Sequence, residues 1–222
     1  MSISRRAVCA LAAMGWCLSG GPAARAAPRV SRAADFAGEP ASDEARDVAQ
    51  WIVRTGDNRG LPFGLVDKKE ARIFVFSPQG RLAGATNALL GLARGDYSVP
   101  GVGDLPPARI PPADRTTPAG RFVSEPGRNL EGEAVVWFDY DAGLAIHRLR
   151  ANAAQRRRQQ RLESSEPQAH RVSAGCVVVP VPFYERVIDP MLGRGPGIVY
   201  VLPEIRSPRE VFIAAEDRPT GE

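Results

Sequence analysis

Three side chains in this 222-residue sequence could do chemistry together: Cys176, His147 and His170. A thiol acyl-transfer site needs a cysteine to attack a carbonyl, a histidine to take its proton, and backbone N–H groups to hold the oxyanion that develops. Ser173-Ala174-Gly175-Cys176 puts a glycine directly before the thiol, which lets the chain turn tightly and aim amides at an incoming carbonyl oxygen. His147 closes the apolar run that starts at Gly143, so its ring would sit on a rigid element beside a loop. His170, closer in sequence to the thiol, reads as a solvated loop histidine and is the rival base. Two histidines and one mature cysteine do not make a His/Cys zinc site, and neither a metal nor another cofactor is expected.

Cysteine usage adds weight to this reading. Cys9 and Cys17 lie in a segment that reads as an export signal, so the exported chain keeps Cys176 alone. In an oxidising compartment such a thiol is buried, paired between chains, or used. The structural alternative is a small hydrophobe on the strand Val177-Val178-Val179. As a nucleophile, its pKa is expected to fall below the ordinary value of about 8.5 through an adjacent histidine.

The export signal covers residues 1–26. Arg5 and Arg6 precede a short apolar run ending at Leu18, and Ala24-Arg25-Ala26 offers a small-residue cleavage site before Ala27. The run is shorter than the roughly 20 residues of a membrane-spanning helix. Ser4-Arg5-Arg6 suits the twin-arginine route as well as the general one. The expected location is periplasmic, with membrane contact only during export. The whole chain has 29 basic and 25 acidic side chains, and three of the arginines leave with the signal. The mature protein is then almost neutral, which disfavours nucleic acid as a partner. With 44% hydrophobic and 24% charged residues, a disordered, collagen-like or integral membrane chain is excluded.

The elements that must position the site follow from pattern. Residues 27–41 read as a flexible leader, residues 42–217 as one domain and 218–222 as a tail. Ser42 can cap a helix whose first turn holds Asp43 and Glu44, whose apolar face is Ala45, Val48, Trp51 and Ile52, and which stops at Gly56. Residues 72–76, Ser77-Pro78-Gln79-Gly80 and the run from Arg81 read as a hairpin. Strand-length apolar runs recur at 134–138, 143–147, 176–179 and 197–202. Residues 100–118 carry six prolines and read as a long surface loop. Residues 151–162 and 183–192 are helix candidates, the latter interrupted by Pro190. Arg156, Arg157, Arg158 and Arg161 form a solvated helix face or a lid that attracts carboxylates.

Thr117-Pro118-Ala119-Gly120-Arg121-Phe122, Ala145-Ile146-His147 and Ser173-Ala174-Gly175-Cys176 occur in the order found in the L,D-transpeptidase catalytic domain of the YkuD type, and the chain resembles that family from about Leu65 to Phe212. The resemblance implies a mostly β fold, a β-sandwich with a few short helices. It also implies Cys176 as nucleophile, His147 as general base, backbone amides of Gly175 and Cys176 as oxyanion donors, and peptidoglycan stem peptides as substrate. A backbone carbonyl such as that of Arg148 would orient the other ring nitrogen of His147. Ala174 replaces the family's histidine, Arg148 a small residue, and Val178 an arginine or asparagine, while His147 and Cys176 are 29 positions apart, farther than usual. These departures fit a subgroup with the pattern Arg171, Ser173, Gly175, Cys176, Val179, Pro180, in which Ser173, Arg148 and Arg171 are the candidate substrate contacts. The acceptor for the acyl group could be a second stem peptide, a protein amine or water. The alternatives are a catalytically silent cell-wall binding module and a related L,D-carboxypeptidase or stem-peptide hydrolase, and oligomeric state is left open.

Overall fold

The computed structural model describes residues 33–150 and 155–213. The export signal, the first part of the leader, residues 151–154, residues 214–217 at the end of the expected domain and the 218–222 tail lie outside the described residues. The first helix, α1 (Asp43–Thr55), forms where expected: Ser42 accepts the N–H of Ala45 at 3.1 Å. Gly56 closes it in the left-handed conformation at φ 73°, donating to the Ile52 carbonyl. That conformation favours glycine because no Cβ obstructs it. Its buried face holds Ala45, Val48, Trp51 and Ile52.

Packing begins ahead of α1, inside the segment read as a leader. Asp35 bridges to Arg81, and the Phe36 ring is buried edge-on against Phe74 and Phe76. A single aromatic among alanines and prolines has no period from which its burial could be read.

Ten strands follow. They are β1 (Phe63–Asp67), β2 (Arg72–Phe76), β3 (Leu82–Asn87), β4 (Leu90–Gly91), β5 (Gly120–Arg128), β6 (Ala134–Asp139), β7 (Leu144–Arg148), β8 (Arg171–Ser173), β9 (Val177–Val179) and β10 (Gly197–Val201). Eight form one sheet in the order β3-β2-β1-β10-β5-β6-β7-β9, and β4 pairs with β8. The fold is mostly β with a few short helices. Strand β5 is the corner of the sandwich: residues 120–124 pair with β10 and residues 125–128 with β6. A strand that serves both halves lets one sheet fold over on itself. Ile73, Val75 and Val199 from one half therefore share a core with Val136, Ile146 and Val177 from the other. On the outer face of the first half, α1 covers Phe63, Leu65, Phe74 and Tyr200.

The helix expected at 183–192 is continuous through Pro190. It runs as α3 (Val181–Phe183), a π-helical turn (Tyr184–Ile188) and α4 (Asp189–Leu192). Pro190 is interior to this run and lacks an N–H to donate, and the turn that directly precedes α4 is the π-helical one, where the intrahelical hydrogen-bond pattern is changed. The proline-rich stretch at 100–118 also differs from the expected surface loop. It buries Val102, Ile110, Thr116 and Thr117. Proline removes ladder donors, but it does not prevent apolar side chains from packing.

A buried ionic cluster fastens this stretch to the sheet. The ammonium of Lys68 donates to the carbonyl of Gly95, to Asp96 at 2.9 Å and to the carbonyl of Thr117 at 3.0 Å. Asp96 also accepts the backbone N–H groups of Glu204, Ile205 and Arg206. Burial works against its charge, but those amides and Lys68 outweigh it and hold the carboxyl at about 2. Arg171 joins through Glu204 at 2.5 Å and donates to the carbonyl of Lys68. Among the described residues, no helix is long and apolar enough to cross a membrane.

Candidate active site

Parallel pairing of β7 with β9 sets His147 opposite Val178. Side chains opposite one another in a ladder share a face, and so does the residue two positions away along the strand. Cys176 and His147 thus face the same side of the sheet and line one cleft of about 450 Å³. Its apolar wall comes from Val102, Leu105 and Ile110 of the proline-rich stretch and from Trp137 of β6. Arg150 is the cation of the lining and is paired with Glu131 at 2.8 Å and Glu133 at 3.2 Å.

His147 is held in one orientation by the backbone that follows it. Nδ1 lies 2.8 Å from the carbonyl oxygen of Arg148. A carbonyl only accepts, so Nδ1 carries the proton and Nε2 of the neutral ring is left basic. Burial, reinforced by the charge of Arg150, pulls the imidazolium pKa down to about 4. The ring is therefore neutral at neutral pH.

The thiol is also neutral at rest. Sγ donates to the carbonyl of Gly143 at 3.7 Å, and burial pushes its pKa up, although the N–H groups of Ala145 and of Cys176 itself act in the opposite sense. This differs from the expected low-pKa thiol. Desolvation of the thiolate outweighs a histidine that is itself uncharged.

The turn before Cys176 is fixed from three directions. Gly175 has φ 128°, and a Cβ there would come within 2.7 Å of both the Thr116 carbonyl oxygen and Leu144 Cδ2, so no other residue fits. Its N–H donates to Ser173 Oγ at 3.1 Å, and that hydroxyl donates to the Cys176 carbonyl at 2.6 Å. Its carbonyl accepts from Thr117 Oγ1 at 2.8 Å.

Of the residues singled out in the sequence, the cleft brings together Cys176 and His147. The Gly175 N–H, expected as an oxyanion donor, is engaged by Ser173 instead. Ser173 is buried behind the turn and shapes it. Arg171 is buried in the ionic cluster and supports β8. The Arg148 side chain lies near Glu133 and over the Tyr184 ring, outside the cleft lining. None of these three lines the cleft, because strand alternation and burial turn them into the fold. His170 is likewise outside the lining. It is buried rather than solvated, at the end of the short turn Pro167–His170. The second helix, α2 (Gln155–Leu162), carries Arg156 and Arg157 exposed to solvent, and none of its residues lines the cleft.

Arg150 and Trp137 escaped the sequence reading, since neither belongs to a motif. Thr117 stood within one, but its partner is distant in sequence. No group of His, Cys, Asp and Glu among the described residues is arranged to hold a metal ion.

No family model matches the chain, and no curated protein does. Among solved structures, it is similar to the helical cell shape determining protein Pgp2 from Campylobacter jejuni. The TM-score is 0.46 and the identity 13%, over 66% of this chain and 49% of that one. It is also similar to an L,D-transpeptidase from Xylanimonas cellulosilytica, with TM-score 0.40 and 16% identity over 64% and 60% of the two chains. For the catalytic domain of the E. faecium L,D-transpeptidase the TM-score is 0.33 and the identity 16%, over 64% and 96%. The chain spans about half to three fifths of the length of the first two.

Proposed function

We propose that the protein is an exported cysteine acyltransferase of the L,D-transpeptidase type, acting on peptidoglycan stem peptides in the periplasm. The observation that carries this reading is the pairing in one cleft of a thiol on a glycine-pinned turn with a histidine whose Nε2 is left basic by the Arg148 carbonyl. As Cys176 attacks the carbonyl of the donor stem, its proton passes to Nε2 of His147. The base then returns that proton to the leaving D-amino acid, whose C–N bond breaks as the thioester forms. An amine of a second stem resolves the thioester into a cross-link; water in its place gives an L,D-carboxypeptidase. Starting from neutral partners costs less desolvation than keeping a buried ion pair without substrate. A stem-peptide carboxylate reaches Arg150 by taking the place of Glu131 or Glu133, and the apolar wall takes the peptide's aliphatic part.

A second reading has its own support. The resting thiol donates to Gly143, and Ala174 and Val178 replace polar family positions, as in a silent cell-wall binding module. Incubating the mature protein with purified tetrapeptide muropeptides and weighing the products separates the two. The enzyme reading expects loss of the terminal D-residue with cross-linked dimer or free tripeptide. Retention of muropeptide without any product would establish the silent module.

A further inference from the structure

We infer that Thr117 is a positioning residue that turns the backbone N–H of Cys176 toward the reacting carbonyl, an assignment that rests on the acyl-transfer reading above. A trans peptide is planar, with its C=O and N–H pointing in opposite directions, and no peptide bond among the described residues is cis. The Gly175 carbonyl is drawn to Thr117 Oγ1, on the buried side of the turn, since Thr117 is fully buried and absent from the cleft lining. The N–H of the same peptide unit, that of Cys176, points the other way. The neighbouring amide, that of Gly175, is occupied by Ser173. The Cys176 amide is thus the one this turn presents to an oxyanion.

The direction of the Thr117 hydroxyl is itself determined. Oγ1 accepts the Gly91 N–H at 2.9 Å, so its own proton goes to the Gly175 carbonyl. The backbone of Thr117 is held independently, because its carbonyl accepts from the buried Lys68 ammonium. A cluster beyond the cleft thereby fixes one hydroxyl, and that hydroxyl fixes the plane of one peptide. Serine could reproduce this geometry. Valine matches the shape but cannot donate.

The test compares two reactions at the same sulfur. Iodoacetamide alkylates by displacement and develops no oxyanion. A carbapenem is opened at its carbonyl: the sulfur bonds to the carbonyl carbon, the ring C–N bond breaks, and the nitrogen takes the thiol proton by way of His147. Thr117→Val is expected to slow acylation, followed by intact mass, by about 10²- to 10³-fold, as for loss of one oxyanion donor. Alkylation of Cys176 in the same variant should stay near the wild-type rate, and Thr117→Ser should restore acylation. Rates are expressed per folded molecule, and Thr117→Ala is read in the same way if the valine variant does not fold. Wild-type acylation in the valine or alanine variant overturns the assignment, and so does a parallel fall in both reactions, which marks a purely structural role. A wild-type protein that alkylates but never acylates overturns the acyl-transfer reading itself, and the assignment with it.

Discussion

Cys176 Sγ donates to the carbonyl of Gly143, 3.7 Å away, at the start of the segment that ends in His147. The two groups expected to exchange a proton share a cleft, yet at rest the thiol is directed at a backbone acceptor. Burial raises the thiol pKa and lowers that of the imidazole, so both directions favour the uncharged pair. Under the acyl-transfer reading, substrate triggers the proton transfer.

Alkylation of Cys176 is expected to be slow at pH 6 and to climb with pH through a midpoint above the ordinary thiol value of about 8.5. Cys176→Ala should abolish labelling and turnover, whereas His147→Ala should abolish turnover and leave resting alkylation nearly unchanged. A midpoint below pH 7 would mean that a thiolate–imidazolium pair exists in the free protein.

Stability should carry the signature of His147. Its folded-state pKa of about 4 lies below the ordinary 6.5, so between these values the unfolded chain binds a proton that the folded one does not. The contribution is complete above about pH 6.5 and is lost as pH falls toward 4, by roughly 3 kcal/mol. Asp96, held at about 2, loses its contribution only below about pH 3.8, so the windows separate. Urea unfolding at pH 7 and pH 4.5 should show a smaller loss in His147→Gln than in wild type. Equal losses would remove His147 as the cause.

Gly175→Ala should destabilise the protein by about 1–3 kcal/mol or more, from a strained φ and two close contacts. It should also slow acylation more than alkylation, because it displaces the peptide that carries the Cys176 amide. Unchanged thermal stability would show that the turn can relax.

Arg171→Met leaves Glu204 with one charged partner fewer in a buried setting. A loss of about 3–5 kcal/mol is expected, with KM for muropeptide unaltered in the folded fraction. A large rise in KM at unchanged stability would return Arg171 to substrate binding.

Arg150→Gln should do the reverse, raising KM severalfold for a stem ending in a carboxylate while changing stability little, because its ion pairs are partly solvent-exposed. An amidated stem should bind equally well to both proteins. Equal KM values for the carboxylate would exclude Arg150 as a contact.

Much of this protein is determined locally and was therefore legible in the sequence. Ser42, the apolar spacing to Ile52, and Gly56 specify α1, because caps and a helical face depend on residues three to four apart. Strand-length apolar runs specify β6, β7, β9 and β10, and the glycine before Cys176 marks the turn. Tertiary structure decided everything that depends on residues distant in the chain. Arg171 and Ser173 sit within a pattern that looks catalytic, yet each satisfies buried partners: Arg171 meets Glu204, 33 residues away, and Ser173 closes the turn. Thr117 reaches Gly175 across 58 residues, and Lys68 reaches Thr117 across 49. The proline-rich stretch became a cleft wall because its few apolar side chains found a sheet to pack against. The charge states of His147 and Cys176 were likewise set by burial. Desolvation is a property of the packed neighbourhood, and no spacing along the chain encodes it.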